Sequence, residues 1–454
     1  MNTNNDYKKL LKIVGPISFQ YLMASLVSAS DAFMLGFLEQ DAMSAVSLAT
    51  QMAFVYSLFF GAFVSGFNVM GAQYWGKNDI KSVEKIVIMA LRYSVMVGLL
   101  FSFVSLVFPE QVMYFFTDDV TLVKPGADYL RVVAASYFLT GISQVYFGAL
   151  KVCDRPLLSS VIGSLAVVVN ILLNWIFIFG IGPVPRMGIR GAALATVCAR
   201  IFEVILVIYF IFKYKVPGYD MRALFKRNDK ILIRDYRKYT VPFLINQLGW
   251  GCGVTMYSVI LGHLGNDAVA ANSIASIVRS MVASFCWGVA AAVGIIIGGL
   301  LGSGKLDEAK RLGGKYTRFS IIIGIGSGLF IMGLIPIVLH LVDINAISMT
   351  VVARRYLKWM LFMACYYIIG NSLNSTIIAG IFPAGGDTKF GMFCDVITLW
   401  AVVVPMGALA AFVFNAPVLV VAFILTLDEF VKIPAVYHHY MKYKWVKNIT
   451  REMD

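Results

Sequence analysis

Charge is scarce in this sequence. Only 14% of its 454 residues are Asp, Glu, Lys or Arg, against roughly 25% in an ordinary soluble domain. With 59% apolar residues and a mean hydropathy of +0.79, too little polar surface is left to cover a water-soluble enzyme of one to three domains. Histidine is scarcer still, and none of His263, His340, His438 and His439 has a zinc-type or triad-type setting. No phosphate-binding glycine loop followed by Lys-Ser/Thr is present, since Gly298 to Lys305 departs from that pattern. That absence argues against an enzyme and against transport driven by ATP on this chain, and it calls for no cofactor. The six cysteines, Cys153, Cys198, Cys252, Cys286, Cys365 and Cys394, show no paired or metal-type spacing. They read as small apolar fillers without a disulfide framework. A net charge of +13 would suit nucleic acid in a soluble protein, but here the basic residues lie between apolar runs, so no nucleic-acid partner is expected.

What the chain has in abundance is apolar stretches of about 20 residues, the length that crosses the hydrocarbon core as a helix. Apolar runs read against turn and charge signals predict an all-α integral membrane fold. Its twelve transmembrane helices lie near 12–37, 44–72, 88–109, 129–150, 157–181, 190–212, 239–262, 268–300, 317–342, 356–381, 391–413 and 417–440. The first run follows Lys8, Lys9 and Lys12 and ends in Ser28-Ala29-Ser30, which mimics a secretory signal peptide. An internal repeat argues against cleavage, because this segment has a partner later in the chain. With a cytoplasmic N-terminus, 28 Lys/Arg fall on the inside and seven outside, and Arg200, Arg279 and Lys432 fall within spans. Positive residues stay with the cytoplasm on insertion, so a multi-pass protein of the plasma membrane with both termini cytoplasmic is expected.

The polar segment 213–238 separates two sets of six spans, giving an N-terminal bundle over 1–212, a cytoplasmic linker, and a C-terminal bundle over 239–454. An offset of 226 pairs Pro16 with Pro242 and Gly76 with Gly302. It also pairs Leu35/Leu261, Gly36/Gly262, Leu38/Leu264, Asp41/Asp267, Ala42/Ala268, Ala45/Ala271, Ser47/Ser273 and Ala49/Ala275. An even number of spans per copy makes this a parallel repeat, an arrangement of transporters that work by alternating access.

A carboxylate in hydrocarbon is costly and therefore a functional hypothesis. Asp31 follows some twenty mostly apolar or small residues and has no basic neighbour within a helical turn. A cation-binding or proton-carrying role is expected, against a tertiary ion pair or a hydrated position near the outer surface. Asn170 and Asn174 lie four apart on one face of the fifth span. They either offer two carbonyl oxygens to a guest or act as helix glue. Asn246 and Gln247 sit just after Pro242 and can bind through dipoles but carry no proton. Arg200 and Glu203, spaced i,i+3, could neutralise each other, as could Glu429 and Lys432 beside Asp428. Arg279 and Asp395 lack local partners, which points to long-range ion pairs across a bundle.

Several of these segments together resemble the multidrug and toxic compound extrusion (MATE) transporters over essentially the whole chain. The resemblance rests on Asp31-Ala32-Phe33-Met34-Leu35-Gly36, on Asn170-Ile171-Leu172-Leu173-Asn174-Trp175 followed by Gly191-Ala192-Ala193-Leu194-Ala195-Thr196, and on Asp267-Ala268-Val269-Ala270-Ala271. Gly385-Gly386-Asp387-Thr388-Lys389 with Trp400 and Pro405 completes it. It implies a V-shaped pair of six-helix bundles around a central cleft, exchanging inward Na+ or H+ for an outward organic cation, with the chain acting as a monomer in the lipid bilayer. By position Asp31 matches the family's coupling acid, and Asn170, Asn174 and Thr196 match residues lining the N-lobe cation site, where Na+ could sit at Asp31, Asn170 and Asn174. Asn246, Gln247 and Glu203 are candidates for the substrate cleft. Related members often carry an aspartate at the position of Asn174 and a glutamate at that of Gln247, so this chain keeps Asp31 as the only N-lobe carboxylate of that set. The alternative in the same superfamily is a lipid-linked oligosaccharide flippase, which would need several cationic residues in its cleft.

Overall fold

The computed structural model describes residues 3–36, 40–220, 229–344 and 349–451, all in helices and their connections. In the first half these are α1 (Thr3–Gly36), α2 (Gln40–Gly76), α3 (Ile80–Val107), the short α4 (Pro109–Phe116), α5 (Val120–Val152), α6 (Pro156–Phe179) and α7 (Gly188–Tyr214). In the second half come α8 (Lys230–His263), α9 (Asn266–Gly302), α10 (Leu306–Asp343) and α11 (Val351–Asn374). The last of these runs through a wide π turn, Ser375–Ile381, into α12 (Phe382–Ala384). The chain closes with α13 (Thr388–Ile397), a π turn over Thr398–Val403, α14 (Val404–Ala408), a π turn over Leu409–Val413, α15 (Val418–Leu425) and α16 (Asp428–Met441). Among the described residues ten helical bodies are long and apolar enough to cross a membrane. With α8 and the α15–α16 pair they make the expected twelve.

Several helices begin well before the apolar runs that predict them. α3 begins at Ile80 and α10 at Leu306, well before the apolar runs at 88 and 317. Their first turns carry Lys81, Glu84 and Lys85, and Asp307, Glu308, Lys310, Arg311 and Lys315. Long charged side chains are good helix formers in water, so charge marks the edge of the apolar run without ending the helix. Two π turns lie immediately N-terminal to Pro383 and Pro405, where the missing N–H and the ring's clash with the preceding turn favour a widened turn. The last span is broken at Thr426 and Leu427, where the Thr426 hydroxyl donates back to the Phe423 carbonyl at 2.8 Å.

The repeat extends from sequence into structure. α9 begins and ends 226 residues after α2, and α10 begins 226 residues after α3. Asn78 (φ 62°) and Gly304 (φ 78°), the same distance apart, both turn the chain through the left-handed region between these helices. Gly98 of α3 is so close to α5 that a Cβ there would stand 2.8 Å from the Phe138 Cα. Its counterpart Gly324 of α10 would place one 3.0 Å from the Ile369 Cα of α11. Buried Ser94 donates to the Gly141 carbonyl at 3.2 Å, and the carbonyl of its counterpart Ser320 accepts from Ser372 at 2.6 Å. Small and hydroxyl residues at the helix contacts and large apolar ones outside are the pattern of packing in lipid. On α3, Met96, Leu99, Leu100, Phe103 and Leu106 form the exposed face.

Packing divides the chain into two compact units. The N-unit is Met23–Leu244 with Arg451–Asp454, and the C-unit is Met1–Leu22 with Ile245–Thr450. The first turns of α1 therefore belong with the second half of the chain, and the first turns of α8 with the first half, a reciprocal exchange at nearly equivalent points of the repeat. The N-unit core gathers Tyr56, Met113, Leu130, Tyr137, Ile178 and Ala193, which gives the unexpected helix α4 its purpose, since Met113 is fully buried there. In the C-unit, Asp6 of α1 accepts from Lys315 at 2.8 Å and from Arg311 at 3.1 Å. Its C-terminal end is closed by Trp445, fully buried, with its indole donating to the Tyr440 carbonyl at 3.2 Å.

Candidate functional site

In the N-unit, α6 and α7 pack side by side and bring a line of polar residues into an apolar setting. The Asn174 amide donates to the Asn170 Oδ1 at 3.2 Å, and both side chains are buried. This is the i,i+4 pair that the sequence suggests, joined on its own helix. Thr196, half-buried on α7, donates its hydroxyl to the Ala192 carbonyl one turn back at 3.1 Å. One turn further, Arg200 and Glu203 meet at 2.6 Å, with 31% and 2% of their side chains exposed. The pair neutralises itself, and the second Glu203 oxygen is buried with no hydrogen-bond partner in the structure. Asp31 lies on α1 in the N-unit, and its side chain falls outside the described residues.

The C-unit holds a larger polar network, of which the i,i+3 pair Glu429 and Lys432 is one part. Asn246 of α8 donates to the Asp395 Oδ2 of α13 at 3.0 Å, and Gln247 is half-buried beside it. Lys432 of α16 is 2.9 Å from the Asp395 Oδ1 and 3.1 Å from the Glu429 Oε2. Glu429 also accepts from Asn371 at 3.2 Å and from Asn374 at 2.8 Å, both from α11. Asp428 is buried next to Glu429. The Arg279 guanidinium lies over the Tyr367 ring, 5.2 Å from its centre. Asp395 thus has the long-range partner that its lack of local ones predicts, and Arg279, resting on a ring face, acts through space on the distant Asp428. Asn371 and Asn374 carry no charge or motif that marks them in the sequence. Two amides three apart, with Ser372, Ser375 and Thr376 in the same span, were the available signal.

The break in the last span places Asp428 and Glu429 in the first turn of α16, where free N–H groups and the helix dipole favour negative charge. Among the described residues no three His, Cys, Asp or Glu side chains are grouped to hold a metal ion. The six cysteines are all free, and outside the spans burial pushes the Cys153 thiol up to about 12.

The MatE family model matches this chain twice, over residues 16–176 and 242–409, with the two matches starting 226 residues apart. The chain belongs to the MatE family. Membership makes it a membrane transporter of the MATE multidrug efflux family and not an enzyme. Among its relatives, a probable multidrug resistance protein NorM of Thermotoga maritima is 22% identical over 400 residues, covering 88% of this chain and 84% of that protein. The uncharacterized transporter YisQ of Bacillus subtilis is 20% identical over 442 residues, covering 96% and 95%. Among solved structures, an outward-facing MATE family transporter of the MOP superfamily superposes with a TM-score of 0.87 at 17% identity, covering 97% and 96%. The MATE transporter VcmN of Vibrio cholerae in its bent form gives 0.84 at 16%, covering 97% and 98%. These structures establish the twelve-helix fold of the MatE chain.

Proposed function

We propose that this MatE chain is an antiporter of the plasma membrane that exports lipophilic organic cations by alternating access, driven by Na+ or H+, with both termini in the cytoplasm. One observation supports the sign of the cargo. The three basic residues that the sequence places inside the apolar spans are all engaged: Arg200 by Glu203, Lys432 by Asp395 and Glu429, and Arg279 by the Tyr367 face. None of these three is therefore offered to a pyrophosphate, and burying such an anion without several cationic partners is prohibitive. A flat cation asks only for an acid, amide dipoles and aromatic or Met surface.

In this reading Asp31 carries the exchangeable charge of the N-unit, because its candidate neighbours from the sequence, Asn170, Asn174 and Thr196, are neutral and Glu203 is paired with Arg200. Asn170, Asn174 and Thr196 would line the Na+ or H+ site, and Asn246, Gln247 and Glu203 would contribute to cargo binding. Na+ or H+ arriving at Asp31 removes the charge that holds the drug, so each ligand weakens the other by linkage. Cells lacking their own pumps should tolerate more ethidium-like dye when they express this chain. Asp31→Asn should abolish that tolerance at equal expression, whereas Gln247→Ala should only weaken it. Full tolerance with Asp31→Asn would place coupling elsewhere. No tolerance to any cationic compound, with a lipid-linked sugar precursor stranded in the inner leaflet of cells lacking the chain, would favour the flippase.

A further inference from the structure

We propose that Lys432 is a resident cation of the C-unit, its ammonium filling a carboxylate and amide cage that would otherwise take a monovalent cation from solution. Four helices meet at this group. Asp395 comes from α13, Glu429 from α16, Asn371 and Asn374 from α11, and Asn246 from α8. Lys432 is within 3.1 Å of both carboxylates, and the side chains of Lys432, Asp395 and Glu429 are 10%, 21% and 6% exposed.

The cage does not owe its shape to the lysine. Asn246 holds the Asp395 oxygen that Lys432 does not touch. Asn371 holds one Glu429 oxygen and Asn374 the other. Amide donors thus fix both carboxylates, and they would stay fixed if the ammonium were removed. Oxygens also exceed the donors present. The Oδ1 atoms of Asn371, Asn374 and Asp428, all at least nine-tenths buried residues, have no hydrogen-bond partner in the structure, and neither does the Asn246 Oδ1. Arg279 also acts on Asp428 through space, but Lys432 is the cation in contact with Asp395 and Glu429, and an acceptor-rich, preorganised pocket around such a charge is what a cation site needs. Here the charge is tethered by its own side chain, so a free ion has no vacancy to enter. The C-unit should therefore be indifferent to Na+, whichever solute the chain exports.

The test is the melting temperature of the purified full chain, read as Na+ or n-propylammonium replaces choline at constant ionic strength. An Asp31→Asn background removes the acid proposed to respond to Na+ in the N-unit. With Lys432 in place no Na+-specific shift is expected. Lys432→Ala should melt lower and recover through a saturable upward shift with Na+ or n-propylammonium, and Lys432→Arg should stay insensitive. If Lys432→Ala is unfolded in choline, recovery during purification in n-propylammonium supports the proposal. An ordinary ion pair would leave Lys432→Ala destabilised in every cation, which contradicts it. A Na+ shift in the Lys432-containing protein that disappears on Glu429→Gln contradicts it as well. No readout involves transport, so failure here leaves the proposed export untouched, and failure of export leaves this result standing.

Discussion

Arg200 and Glu203 show what a single turn of helix can make legible. Their spacing on α7 puts opposite charges on one face, and the structure joins them at 2.6 Å with the carboxylate almost wholly enclosed. Removing one member leaves the other unpaired, which is the costly event for buried charge. Arg200→Ala should therefore lower stability by on the order of 3 kcal/mol, read as a drop in melting temperature. The loss should shrink in Arg200→Ala/Glu203→Gln, because the orphaned charge is then gone. Equal losses in the two proteins would mean that packing, not charge, carries the effect. Glu429 and Lys432 were legible by the same rule. The Asp395 partner was not, because Lys432 lies 37 residues further on, and only the folded C-unit brings α13 against α16. Asn371 and Asn374 escaped for a related reason, since amides among Ser372, Ser375 and Thr376 gain meaning only from the carboxylate they hold.

At the scale of helices, the apolar period marked where the spans lie, but other physics set their ends. Charged first turns lengthened α3 and α10, prolines widened the turns before α12 and α14, and Thr426-Leu427 broke the last span without a proline or glycine to announce it. The close contacts between helices were more legible in retrospect through the repeat, because Gly98 and Gly324 occupy matching places. Gly98→Val would drive its side chain into the backbone of α5, with even the Cβ at 2.8 Å from the Phe138 Cα. Overpacking of this kind costs about 1–3 kcal/mol. The expected outcome is a lower melting temperature for Gly98→Val, while Gly326→Val on α10, where no atom lies within 4 Å of an added Cβ, should leave it nearly unchanged. Similar behaviour of the two variants would remove the close α3–α5 approach as a determinant of the N-unit.

For the whole molecule, the twofold repeat is both the clearest sequence feature and the frame on which the two units differ. The N-unit has neutral amides on α6 and an acid on α1. The C-unit has a carboxylate pair already answered by Lys432. If that asymmetry governs transport, one lobe responds to the coupling ion and the other is preset. The family and the twelve spans could be read from the residues, since both rest on hydrophobicity and repeated motifs. The ion and the cargo could not, because Na+ and H+ ask for the same carboxylate and many flat cations ask for the same apolar surface. The most direct measurement reconstitutes the protein in liposomes and follows a fluorescent lipophilic cation while Na+ and pH gradients are imposed separately. The account predicts that at least one of the two gradients drives the dye uphill, and that Asp31→Asn abolishes this uphill movement. Dye movement that ignores both gradients, or that Asp31→Asn leaves intact, would contradict it.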